Sequence, residues 1–410
     1  MPRTVFHIDA NSFFASCELL DHPELRGVPM AVAGSGERTV ILSPTYEARA
    51  SGVKTGMRKF EALAVCPHLI IVETHNSRYV ELSRAMIDIF RQYTPVVEVY
   101  SIDESFLDMT GMDRLYGALG PVGREIQRRI LDELGLPTSV GIGPNKLVAK
   151  WAAKVYKPRG FLEVSADEAE ERLRNVPVGA LWGIGRRLTI ALNEMGIFTC
   201  GQLGNYSVKL LRAKFGINGE RFREWGRGID HRPVETVVPP PKSIGHSMTF
   251  VENVPWGEEL DAYLWELSER VARRSRNYGF RGREISASVR LPDLSWCGQH
   301  RLLSASIDDG RVLYQTAREV LDHLRPRLPK GTLFRAAGVG LARLEADGRA
   351  LSLWHEDRQQ VLVNAALDGL CDRYGEWVVT RGTALHRSGH RGVIAPAWRP
   401  EGIHSVEFPE

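Results

Sequence analysis

A chain of 410 residues with 43% hydrophobic content can bury more than one core and predicts two to four domains. The net charge of +3 is too small for overall charge to select nucleic acid, so the placement of the basic residues must decide that question. Five scattered cysteines (Cys17, Cys66, Cys200, Cys297, Cys371) with no C-x-x-C pair argue against a disulfide framework and a zinc site, and no segment approaches the length of a membrane span. Together these features predict a soluble cytoplasmic protein.

Residues 4–8 form a short apolar run that predicts a buried strand, delivering Asp9 at its C-terminal end, where α/β-type sheets place ligand-binding groups. His7 on this strand reads as a packed residue rather than a ligand. A helix follows with Ser12 as its cap and Phe13 and Phe14 in its first turn. Farther on, Tyr46 and Arg49 stand three apart and share a helix face, a donor pair that suits phosphate oxygens or simply faces solvent. Leu82, Met86, Ile89, Phe90 and Tyr93 recur at helical spacing and predict an amphipathic helix over 78–93.

Residues 97–108 read as a hairpin, two apolar runs around a bend that carries Asp103 and Glu104 side by side. Adjacent carboxylates on so apolar a support repel unless a cation lies between them, which makes the bend a metal-site candidate, with a solvated turn as the alternative. Ile126, Ile130, Leu131 and Leu134 mark another helix, residues 138–142 a strand, and Asn145 starts a further helix. The order strand, helix, strand, strand, helix, strand is the ferredoxin-like split βαβ pattern, which would bring Asp9 beside Asp103 and Glu104. The glycines in Gly141-Ile142-Gly143-Pro144-Asn145-Lys146 lack P-loop spacing. Lys146, Lys150 and Lys154 form a stripe along one helix face that is either solvated or follows a phosphate backbone, and Lys157 sits on the turn beyond.

Residues 166–232 read as short helices with glycine turns. Gly183 and Gly185, followed by Arg186 and Arg187, give a helix-hairpin-helix whose backbone N–H groups suit a nucleic-acid phosphate; residues 215–222 look like a weaker copy. After a proline-rich linker over 233–242, the strand–helix–strand–strand–helix–strand order repeats without acids at its hairpin. Arg270, Arg273, Arg274, Arg276, Arg281, Arg283 and Arg290 in this second module predict a phosphate-facing surface. The tail beyond 345 carries a predicted helix through Val361, Leu362, Leu367 and Leu370.

Several stretches together resemble the Y-family translesion DNA polymerases, closest to the DNA polymerase IV branch. They are Ile8-Asp9-Ala10-Asn11-Ser12-Phe13-Phe14, Tyr46-Glu47-Ala48-Arg49, Tyr100-Ser101-Ile102-Asp103-Glu104-Ser105, Asn145-Lys146 with Ala149-Lys150, Lys157-Pro158-x-Gly160 and Lys242-Ser243-Ile244-Gly245. The resemblance implies an α+β multidomain fold: a ferredoxin-like palm (1–9 and 75–165), small fingers (10–74), a helical thumb (166–232), and after the linker a second split βαβ module as little finger (243–345), followed by a tail (346–410). It also implies template-directed transfer of deoxynucleotides to a primer 3′-hydroxyl, at low fidelity and without a proofreading exonuclease; the alternative is a catalytically silent adapter in a mutagenesis complex.

By the same resemblance, Asp9, Asp103 and Glu104 with the Ala10 carbonyl hold two Mg²⁺ ions, which chemistry of this kind sets roughly 3.5–4 Å apart. Tyr46, Arg49 and Lys157 match triphosphate contacts. Ser43 matches a hydroxyl position, although Pro44 departs from the usual residue beside it. Phe14 stands at the steric-gate position that excludes a ribose 2′-oxygen, and Phe13 is expected to pack under the nucleotide. Lys146, Lys150, Gly183, Gly185, Arg186, Arg187, Ser243 and Arg283 are the expected DNA contacts. Leu351, Leu353 and Trp354 resemble a sliding-clamp peptide, with Ala350 where its glutamine usually stands; otherwise the protein is expected to be a monomer.

Overall fold

The computed structural model describes residues 3–346, 355–375, 378–379 and 398–400. β1 (Val5–Ala10) is buried along its whole length. The helix Phe13–Asp21 leads away from it into a small three-stranded sheet of β2 (Met30–Ala33), β3 (Ile41–Pro44) and β4 (Ile70–Glu73), ordered β3-β2-β4. The chain returns through the helix Asn76–Arg91 to the hairpin of β5 (Val97–Val99) and β6 (Glu104–Asp108). Then come the helix Leu119–Leu134, β7 (Thr138–Gly143), the helix Lys146–Val155 and β8 (Phe161–Glu163). The resulting sheet is ordered β5-β6-β1-β7-β8. Its first four members have the predicted split βαβ arrangement, and β8 extends it in parallel at the β7 edge.

β1 is sandwiched, which explains why its apolar run does not alternate with polar residues. Phe6, Ile8 and Ala10 pack on one side with Met86, Ile87, Phe90, Ile126 and Ile130. On the other side Val5 meets Phe106 and Ala149 of the helix Lys146–Val155. This helix lies unusually close to β7. A Cβ at Gly141 would fall 2.1 Å from the Ala149 carbonyl oxygen and 2.3 Å from the Ala153 nitrogen, so only glycine fits there. The glycines of the 141–146 run thus serve helix-on-sheet contact.

The next region packs the helices Ala166–Leu173, Arg186–Asn193, Cys200–Asn205, Val208–Phe215 and Asn218–Gly226 around Leu173, Leu192, Leu203, Leu211 and Trp225. The first hairpin is entered from a single 3₁₀ turn, Val178–Ala180, rather than from a full helix.

The second large sheet contains β9 (Ser243–Pro255), β10 (Phe280–Arg290), β11 (Trp296–Ile307) and β12 (Leu333–Ala346), with the helices Glu258–Asn277 and Gly310–Leu324 packed on it. Its element order matches the prediction, but the sheet does not copy the first one. The order is β11-β10-β12-β9, so each βαβ unit is split while the first strand lies at an edge instead of the centre.

The tail helix His355–Tyr374 corrects the expected arginine surface. Arg276 pairs with Asp368 at 2.6 Å and Arg273 with Asp372 at 2.7 Å, both acids on that helix, while Arg270 pairs with Glu266 of its own helix. These three side chains are turned to carboxylates of the chain itself. Arg283 remains exposed on β10. Near the end of the chain Trp398 is fully buried in the core beneath the first sheet. Leu351, Leu353 and Trp354 lie outside the described residues, among which no helix is long and apolar enough to cross a membrane.

Candidate active site

Strand register brings the predicted acids together. β1 pairs antiparallel with β6 so that Asp9 faces Glu104 directly, and the Ala10 N–H donates to the Asp103 carbonyl at 2.9 Å. On its other side β1 pairs with β7, where Asp9 faces Ser139. Central placement buries Asp9 to 4% exposure. Burial pushes its carboxyl above the usual range, and the neighbouring Glu104 and Asp103 charges push the same way against the opposing Lys157. Asp103 is raised likewise, by burial and then by Glu104, although Ser101 donates a hydrogen bond to it. For Glu104 burial also acts upward, but the His7 hydrogen bond and the charges of His7 and Lys150 outweigh it and hold the carboxyl well below its ordinary value.

Three carboxylates of divergent acidity on two adjacent strand ends make a compact anionic site. His7, Asp9 and Glu104 offer ligand atoms within 4.8 Å of one another. As its place on an apolar strand predicts, His7 is packed, fully buried 4.7 Å from the Phe106 ring; its Nε2 nevertheless lies 3.4 Å from Glu104. It stands two residues before Asp9, so the alternation of β1 puts both on one face, a signal available in the sequence.

The lysine stripe is corrected. Lys146 and Lys150 are only 4% and 5% exposed and point at the acids, not at solvent. Lys146 Nζ donates to both oxygens of Glu98, at 2.6 and 2.7 Å, and Lys150 donates to Glu104. The Lys150 ammonium also lies 4.4 Å from the centroid of the Tyr100 ring, whose hydroxyl accepts from Trp182 Nε1 at 3.1 Å. The close approach permitted by Gly141 is what lets a helix deliver these cations to the sheet. Lys154, the third of the stripe, is exposed.

Lys157 donates to Asp9 from the loop after that helix. The loop is fastened by Asn11, whose Oδ1 accepts from the Arg159 N–H at 2.7 Å, and by Ser139, whose Oγ accepts from the Gly160 N–H at 3.2 Å. Tyr46 and Arg49 share the short helix Tyr46–Ala50, with the guanidinium 5.2 Å from the tyrosine ring. Burial raises the Tyr46 hydroxyl, with the charges of Lys157 and Arg49 acting against it and that of Asp9 with it. Ser43 is buried and its Oγ accepts from the Ala15 N–H at 3.4 Å, tying β3 to the helix that carries Phe14.

The two phenylalanines separate. Phe13 is 3% exposed and packs in the core beside Phe14. Phe14 is half-buried and stacked on Tyr79. Ser12 takes a left-handed conformation, φ 46°, and makes no side-chain cap, so the expected capping is absent. Away from the acids, Gly183, Gly185, Arg186 and Arg187 are all exposed at the N-terminus of the helix Arg186–Asn193, and Ser243 is exposed at the start of edge strand β9. Tyr79, Glu18 and the Asn11–Ser139 fastening were not legible as site components, because each acts through a partner distant in sequence.

A family model described as impB/mucB/samB matches residues 8–154, and the model of that family's C-terminal domain matches residues 241–353. The chain belongs to this family, the Y-family DNA polymerases. Among Y-family relatives, DNA polymerase IV of Moorella thermoacetica is 38% identical over 386 residues, covering 93% of this chain and 96% of the relative. DNA polymerase IV of Desulfatibacillum aliphaticivorans is 39% identical, covering 92% and 95%. A solved chimeric Y-family DNA polymerase matches with a TM-score of 0.74 and 25% identity, over 84% of this chain and 99% of its own. The four-part Y-family architecture of palm, fingers, thumb and little finger therefore holds here. Divalent-metal dependence goes with the Y-family, and the donors present suit a hard cation: oxygen ligands, excess negative charge and two carboxyls raised by burial and crowding.

Proposed function

We propose that Asp9, Asp103 and Glu104 form the catalytic centre of a template-directed DNA polymerase that serves translesion synthesis, with primer–template DNA and deoxynucleoside triphosphates as substrates. The observation that carries this reading is the β1–β6 register, which sets Asp9 opposite Glu104 with Asp103 next to it. The three carboxylates and the Ala10 carbonyl would hold two Mg²⁺ ions. When bound, such ions activate the primer hydroxyl and hold the triphosphate and its leaving group.

The chain's own groups do the rest. Lys157, Tyr46 and Arg49 offer cations and a hydroxyl to the triphosphate, stabilising charge that grows on it during transfer. Ser43 belongs with this group through the helix it anchors. Lys146 and Lys150 support the acids from behind, a role that replaces the expected contact with DNA. Phe14 closes the sugar pocket as a steric gate. Gly183, Gly185, Arg186 and Arg187 of the thumb, with Ser243 and Arg283 of the little finger, take backbone phosphates. The domain limits are those the sequence suggests: palm 1–9 and 75–165, fingers 10–74, thumb 166–232, little finger 243–345.

Short fingers and the lack of an exonuclease motif go with low fidelity. A monomer in the cytoplasm, engaging a sliding clamp through Leu351, Leu353 and Trp354, completes the reading. Primer extension tests it. Purified protein with Mg²⁺ and all four nucleotides should lengthen a primer, and Asp103→Asn should abolish extension while DNA binding persists. If the wild-type protein adds nothing, the silent-adapter alternative replaces the enzyme.

A further inference from the structure

Phe14 and Glu18 lie four residues apart on the helix Phe13–Asp21 and therefore on one face. Tyr79, on the facing helix Asn76–Arg91, engages both. Its ring stacks on Phe14 with centroids 4.4 Å apart and planes within 13°, and its hydroxyl donates to the Glu18 carboxylate. Tyr79 is fully buried and Glu18 is 1% exposed. The carboxylate is also within 2.9 Å of His75 Nδ1. Phe13 packs beside the pair in the core, 5.8 Å from the Phe14 ring and 6.4 Å from Tyr79.

A carboxylate is a costly occupant for a core position that an apolar residue could fill. What it supplies and leucine would not is direction. A hydrogen bond to the hydroxyl fixes where the tyrosine ring ends, whereas a ring held only by apolar contact can slide along its neighbour. Because the same ring is the wall behind Phe14, fixing it limits how far Phe14 can retreat. Steric exclusion depends on that limit, since a displacement of a fraction of an ångström suffices to admit one more oxygen atom.

We propose that Glu18 and Tyr79 are positioning residues for sugar discrimination, Glu18 anchoring Tyr79 and Tyr79 holding Phe14 forward. The inference rests on the reading of Phe14 as the gate. It assigns to a buried, hydrogen-bonded carboxylate, outside the metal-binding acids, a part in choosing deoxyribose over ribose.

The test is the ratio of kcat/KM for a deoxynucleotide to that for the matching ribonucleotide, measured by single-nucleotide insertion on variants whose folding is checked by thermal melting. Phe14→Ala, the control, should lower the ratio by about 100-fold or more, as expected when a steric block is removed. Tyr79→Phe keeps the ring but releases the anchor, and should lower it about 3–10-fold, mainly through a gain in ribonucleotide insertion. Glu18→Leu should do the same, and the double variant should be no worse than either single one, since both break one link. Glu18→Gln retains an acceptor for the hydroxyl and should stay within about twofold of the wild type. A purely structural role would lower both insertion rates together and leave the ratio untouched. An unchanged ratio in Tyr79→Phe with a lowered one in Phe14→Ala overturns the inference but leaves the gate standing; an unchanged ratio in Phe14→Ala removes the gate and the inference together. If Glu18→Leu does not fold, Tyr79→Phe decides alone.

Discussion

The palm sheet and the little-finger sheet are written with the same order of elements and differ in where the first strand goes. In the palm β1 is central, flanked by β6 and β7; in the little finger β9 is at the edge, paired among the described residues with β12 alone. β1 is covered on both faces as well as flanked on both sides, so the carboxylate near its end is desolvated and its acidity is set by its neighbours. The little-finger sheet packs both of its helices into a single core, so β9 has one covered face, and its burial pattern alternates accordingly. One arrangement concentrates charge for chemistry. The other spreads polar and basic groups over a surface, where they can meet a phosphate backbone without reading its sequence.

Breaking the central strand's chemistry should have the largest effect. Asp9→Asn is expected to lower primer extension by a factor of at least about 10³, in the range of removing a group that acts only on the transition state, as read by single-turnover kinetics. The support behind the acids should matter next. Gly141→Val forces side-chain atoms into the backbone of the helix Lys146–Val155 and should cost about 1–3 kcal/mol of palm stability by chemical denaturation, with activity falling as Lys150 withdraws from Glu104.

A third expectation separates the acids from one another by pH, in the metal-free protein with a chelator present. The Asp9 carboxyl is raised in the fold, so its ionisation works against the native state above its folded pKa and not at all below the unfolded one. Asp9→Asn should therefore raise the melting temperature at neutral pH, with the gain shrinking as the pH falls through the carboxylate range. Glu104 is depressed, so its charge stabilises the native state above the unfolded pKa, and that contribution is lost as the pH falls toward the folded one. Glu104→Gln should therefore melt lower at neutral pH, with the loss shrinking in acid. Parallel behaviour of the two variants would refute the assignment of opposite environments.

The smallest effect is expected on the edge-strand module. Arg283→Ala should weaken DNA binding evenly across sequences and reduce the slope of log affinity against log salt by about 1, the signature of one lost phosphate contact. An unchanged slope would remove Arg283 from the interface. Arg273 and Arg276 of the same module should give no such change, because Asp372 and Asp368 of the tail helix already hold them.

Much of this was legible in the chain. The apolar run of residues 4–8, the helical spacing over 78–93 and the paired acids at 103–104 depend on local periodicity and composition, and the structure has a strand, a helix and a hairpin where they indicate them. The meeting of Asp9 with Asp103 and Glu104 followed from element order, because a split βαβ pattern leaves few ways to arrange four strands. The same logic could not distinguish the two sheets. Which strand becomes central depends on which faces the helices cover, and that is settled by packing between residues far apart in sequence.

Side-chain direction was the other unreadable quantity. Lys146, Lys150 and Lys154 carry a stripe any solvated helix could show; two of them turn inward because Gly141 and Gly143 let the helix lie against β7, where Glu98 and Glu104 wait for a cation. Arg273 and Arg276 look like phosphate ligands until a helix a hundred residues later covers them. Phe13 and Phe14 are adjacent and chemically identical, yet one is core and the other half-buried. Local sequence determined the kinds of elements and the chemical groups they carry, since these depend on neighbours within a few positions. Partnership of charges and exposure of rings belong to contacts across the fold, because desolvation and pairing are properties of the completed packing and not of the residues that enter it.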